Sequence, residues 1–149
     1  MNDYLKILFS YVIAFILGLG LITYIFNFPG WITGNQAMVD EYYKINWKKN
    51  IPIDFLLVSI YIVIGLIFIK LLKVESNCYK LFIIYTITYV ISGSFYLYFK
   101  NNPISDNFFS KWFNSVGWSG VFYDVILILF IYIIYQRVYL LINNNFKNT

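Results

Sequence analysis

The sequence predicts an all-α integral membrane protein: a four-helix bundle in one domain over residues 1–149, with two short interfacial helices on one side. Three observations predict it. The chain is 60% apolar and only 12% charged, whereas soluble domains carry about 25% charged residues. Four apolar runs each approach the roughly 20 residues that cross about 30 Å of hydrocarbon. None of the four shows the strict alternation of a membrane β-strand; Val125-Ile-Leu-Ile-Leu-Phe-Ile-Tyr-Ile-Ile134 is continuous. In lipid an unbroken run must satisfy its own backbone hydrogen bonds, which makes it a helix.

The first run, Tyr4–Phe26, is longer than a signal-peptide core and is followed by no small-x-small cleavage site. It is expected to be a retained span that stops at Asn27-Phe-Pro-Gly-Trp31. Ser10, Ala14 and Gly18 give it a small-residue face for close helix packing. The second run is Ile51–Leu72, with Asn50 as a plausible N-cap and Pro52 in the first turn. The third, Leu81–Phe99, is the most polar, with Thr86, Thr88, Ser92, Gly93 and Ser94, as expected of a helix buried among the others. The fourth, Val121–Ile142, starts at Ser119 or Gly120 and ends near Gln136 and Arg137, which can snorkel. Four spans place both termini on one side. The short link between spans two and three is flanked by Lys70, Lys73 and Lys80; with Lys6, Arg137 and Lys147 on the same side, the termini are expected in the cytoplasm.

The two connections on the opposite side carry amphipathic stripes. Met38, Val39, Tyr42 and Tyr43 are followed 70 positions later by Phe108, Phe109, Trp112 and Phe113, predicting interfacial helices over about 36–46 and 106–115. Trp31, Trp47, Trp112 and Trp118 are the expected interfacial anchors. The same offset relates Asp54 to Asp124, as a parallel duplication of a span–surface helix–span unit produces.

Asp54 and Asp124 are the two acids inside spans and therefore the candidate ion, proton or ligand site. Both sit near the same membrane face, where helix-end stabilisation is the simpler account. Histidine is absent and Cys78 is the single cysteine, which excludes Ser-His and Cys-His catalysis, the usual zinc sites and an internal disulfide. No catalytic residue, metal or cofactor is expected. Tyr123-Asp124 matches half of the intramembrane aspartyl protease signature, but the Gly-x-Gly-Asp half is missing. Eleven basic residues are too few for a nucleic-acid surface. The expected partners are the lipid bilayer and, beyond it, a membrane protein or a second copy of the chain.

The strings Asp106-Asn-Phe-Phe-Ser-Lys-Trp-Phe113 and Val121-Phe-Tyr-Asp-Val-Ile-Leu127 are similar to those of uncharacterised four-span membrane proteins of large DNA viruses. The resemblance implies a small multi-span protein of a viral or infected-cell membrane and carries no catalytic residue with it. The expected role is non-enzymatic: structural, assembly or interaction. The alternative is a small proton, cation or solute transporter or channel subunit using Asp54 and Asp124. Transport requires the two carboxylates to converge across a polar cavity reaching below the headgroup level; a scaffold would turn them to water or to separate lysines around a packed interior.

Overall fold

A computed structural model describes residues 2–145 of the chain. Seven helices follow in order among them: α1 (Asp3–Ile25), α2 (Phe28–Thr33), α3 (Gln36–Asp40), α4 (Trp47–Leu71), α5 (Asn77–Asn101), α6 (Phe108–Val116) and α7 (Trp118–Asn145). α1, α4, α5 and α7 are long and apolar enough to cross a membrane. Lys147, counted above toward orientation, lies outside the described residues.

Local chemistry sets most of the boundaries. Asn2, Asn35 and Asn107 cap α1, α3 and α6, each side chain accepting from a backbone N–H of the first turn at 3.0–3.3 Å. The last turn of α1, Gly20–Ile25, is π-helical, and a second π turn, Glu41–Ile45, continues α3. Gly117, at φ 59° and ψ −140°, holds a conformation open essentially only to glycine, which lets α7 begin directly after α6.

Four expectations are corrected. α4 begins at Trp47, so Asn50 lies inside the helix, where its amide donates to the Tyr42 carbonyl at 3.0 Å instead of capping. α7 begins at Trp118 rather than at Ser119 or Gly120. The Phe28–Thr33 segment, expected as a stop, does break α1 through the left-handed Asn27 but then winds into α2, with Pro29 supplying a pre-set φ in its first turn. The most enclosed pair is α1 and α7, not α5: Thr88, Ser92 and Gly93 are buried, but Thr86 and Ser94 face outward. Their hydroxyls donate to Phe82 and Val90 carbonyls of the same helix, so they need no neighbour.

α7 runs antiparallel to α1 along most of its length. Lys6 Nζ donates to Asn143 Oδ1 at 3.3 Å near one end, and Thr23 and Tyr123 share a hydroxyl hydrogen bond of 2.8 Å near the other. Between them Ser10, Ala14 and Gly18 form the contact stripe, all buried. A Cβ on Gly18 would stand 2.5 Å from Ile131 Cγ1, so the close approach exists because that position lacks a side chain. Such packing lets helix contacts replace lipid contacts without a hydrophobic driving force. α5 also packs on α7, and α4 meets α5 where Gly65 faces Ile84. Farther from the termini, α4, α5 and α7 enclose a space that α6 and the Glu41–Ile45 turn roof over.

Candidate functional site

The roof is built from the two amphipathic stripes. Each was expected to lie on the headgroup plane with its aromatics toward lipid; instead Met38, Val39, Tyr42, Tyr43, Trp112 and Phe113 are buried in the protein. The stripes face each other, with the Tyr42 and Trp112 ring centroids 5.0 Å apart and Tyr42 and Phe108 5.1 Å apart. Trp112 is therefore a core residue and not an interfacial anchor. Trp31, Trp47 and Trp118 do project outward, exposed by 77, 48 and 40%. On the outer side of the roof Lys111 Nζ donates to both Glu41 carboxylate oxygens at 2.5 and 2.7 Å.

Beneath the roof is a partly open cavity of about 200 Å³. Asp54 and Asp124 both line it, on α4 and α7. Each sits about two turns inside its helix, roughly 10 Å along the axis. Helix-end stabilisation, which decays within the first turn, does not account for either. Tyr42 reaches down from the roof and donates its hydroxyl to Asp54 Oδ1 at 2.5 Å. Burial, reinforced by the Asp54 carboxyl, raises the Tyr42 phenol well above its usual range, so it keeps its proton and remains the donor. Asp124 Oδ2 accepts from Ser92 on α5 at 2.5 Å. Asp54 Oδ2 is buried with no hydrogen-bond partner, as is the Thr88 hydroxyl one turn from Ser92. Buried polar atoms of native structures are almost always paired, so an orphaned carboxylate oxygen beside a cavity marks a place for a ligand or water.

The remaining walls are aromatic and aliphatic: Tyr43, Tyr61, Phe95, Phe99, Phe109 and Phe113 with Leu57, Val58, Leu127 and Ile128. Among the described residues no lysine or arginine lines the cavity. Among the described residues no group of three or more His, Cys, Asp or Glu could hold a metal ion. Among the lining residues Ile53 on α4 and Phe95 on α5 are the most exposed.

The structure thus brings together Asp54 and Asp124, the two candidate site residues, and separates them from the exposed tryptophans. It adds Tyr42 and Ser92 as hydrogen-bond donors to the carboxylates. Sequence reasoning placed Tyr42 in an anchoring stripe and Ser92 in helix packing. The signal that could have pointed to Tyr42 is the 70-residue offset: Glu41 bonds Lys111 and Tyr42 packs on Trp112, positions that the offset makes equivalent.

Four apolar helices of spanning length make the chain an all-α, multi-pass membrane protein by length and composition. Compared with protein-family models, curated proteins and solved structures, it finds no match.

Proposed function

We propose that the protein is a small cation carrier of its membrane, with Asp54 and Asp124 as the binding carboxylates. The observation that carries this reading is that both intramembrane acids line one cavity that, among the described residues, no basic side chain lines, with one carboxylate oxygen left without a partner among them. A carboxylate inside a span is costly and pairs with another group or marks an ion or substrate path. Here the pairing partner is to come from outside the chain. A scaffold calls for acids turned to water or to lysines around a filled interior, and this arrangement lacks both features. The cavity departs from the transport expectation in one respect: apart from the two carboxylates, the tyrosine hydroxyls and the Trp112 indole its walls are apolar rather than polar. Support also comes from the roof, where Glu41 bonds Lys111 and Tyr42 packs on Trp112, closing the cavity over the two carboxylates.

In this proposal the protein acts without covalent catalysis and both termini are cytoplasmic. The membrane is that of a large DNA virus or an infected cell, on the strength of the resemblance of the 106–113 and 121–127 strings. The test is cation and proton flux into liposomes holding the purified protein, wild type beside the Asp54→Asn/Asp124→Asn double variant. Flux that the double variant loses while keeping its helical content is the expected result. Folded wild-type protein that moves neither protons nor cations overturns the proposal and returns the protein to a structural or assembly role.

A further inference from the structure

We infer that the cation is a small organic ammonium, held in an aromatic cage beside the two carboxylates. This rests on the carrier reading and names its substrate class.

The composition of the walls excludes the simpler cations. A divalent metal needs several oxygen, nitrogen or sulfur ligands, and the cavity offers two carboxylates, three tyrosine residues and otherwise apolar walls. A hydrated alkali ion would have to shed its water against Phe, Trp and Leu side chains that give nothing back. An organic ammonium has the opposite needs. Its positive charge is attracted to the faces of Trp and Tyr rings and to carboxylates, and its carbon shell is satisfied by apolar contact. Tyr42, Tyr43, Tyr61, Phe99 and Trp112 surround the space in which Asp54 Oδ2 lacks a partner.

Size and access narrow the class further. The cavity, at about 200 Å³, is smaller than the roughly 300–1,000 Å³ of sites for drug-sized ligands, so the ligand is nearer a trimethyl- or tetraethylammonium than a polycyclic cation. The cavity is partly open and the exposed Ile53 and Phe95 belong to its lining, so a small soluble ammonium can reach the carboxylates. A quaternary or primary ammonium of a lipid headgroup presents the same chemistry.

The experiment is titration of the purified protein with tetraethylammonium, followed by calorimetry and by Trp fluorescence, since Trp112 is in the cavity wall. Saturable binding is expected, at least tenfold weaker in Asp54→Asn and in Asp124→Asn. In Trp112→Leu it should weaken by about 2- to 30-fold, the range of a cation–π contact. A neutral tetraalkyl analogue carrying carbon in place of nitrogen should not compete. Binding in nanodiscs of phosphatidylcholine against an uncharged galactolipid without an ammonium separates the sources: equal affinity indicates a free amine, and weaker affinity in phosphatidylcholine indicates a headgroup occupying the cage. The substrate class is overturned if tetraethylammonium does not bind, or binds equally well to both Asp variants. If Asp-dependent flux persists in that case, the carrier reading survives without it. Asp124→Asn preserves the shape of the side chain and a partner for Ser92, and circular dichroism of each variant separates lost binding from lost folding.

Discussion

Replacing Val58 by phenylalanine tests whether the space beneath the roof is open and used. Val58 is buried on α4, one turn beyond Asp54, and lines the cavity. A Phe side chain is larger than Val by roughly 50 Å³, a quarter of the 200 Å³ available, and filling a void contributes about 24 cal/mol per Å³. The substitution is therefore worth at most about 1 kcal/mol of added stability, because the cavity is partly open and the ring must find a relaxed rotamer. In a chain of this size that is about 2–4 °C in Tm, measurable by thermal unfolding of the protein in a fixed detergent. The same ring occupies the place of the ammonium, so tetraethylammonium binding should fall at least tenfold while Tm rises. Overpacking of a full core costs about 1–3 kcal/mol instead. A fall in Tm of several degrees would refute the reasoning that this space is unfilled, and unchanged binding would place the ligand elsewhere.

Gly18→Ala, whose Cβ would press on the fully buried Ile131, should destabilise by about 1–3 kcal/mol, whereas Gly20→Ala, helical at φ −58° with nothing within 4 Å, should stabilise by about 0.4–1 kcal/mol; detergent unfolding curves of the two variants decide it. The Glu41–Lys111 pair is half-exposed, so a double-mutant cycle with Glu41→Gln and Lys111→Gln should return a coupling of only about 0.2–1 kcal/mol, and a larger value would show the roof to be locked by this bridge. Cys78, exposed at the start of α5 and the single thiol of the chain, should react with a membrane-impermeant maleimide only from the side that carries the termini; labelling of intact cells from outside would reverse the proposed orientation. Tyr42→Phe removes the donor to Asp54 Oδ1 and leaves that carboxyl without a hydrogen-bond partner, an effect of about 1–3 kcal/mol expected as lower Tm, and partly recovered by saturating tetraethylammonium.

The membrane spans were legible because they depend on local quantities. Hydropathy over a window and the need to close every backbone hydrogen bond in lipid locate a helix from its own residues. Its ends were less legible: Asn50 looks like a cap in isolation, yet in the folded chain its amide is taken by the Tyr42 carbonyl, and α4 extends back to Trp47. The stripes on 36–46 and 106–115 were legible as amphipathic but not as to which apolar medium they face. A lipid surface and a protein interior make the same demand on a side chain, and only the position of the other stripe selects the interior.

The sequence by itself determined the class of protein, the number of spans, the two unusual acids and the offset that relates them. Tertiary structure alone decided that Asp54 and Asp124 share a cavity, that Tyr42 and Ser92 serve them, and that Trp112 walls the site rather than anchoring it. The physical reason is separation along the chain. Ser92 and Asp124 are 32 residues apart, and Glu41 and Lys111 are 70 apart. Which face of one helix meets another depends on its rotation about its own axis. That rotation is set by close approaches such as Gly18 against Ile131 and Gly65 against Ile84, which belong to pairs of helices and not to either helix alone.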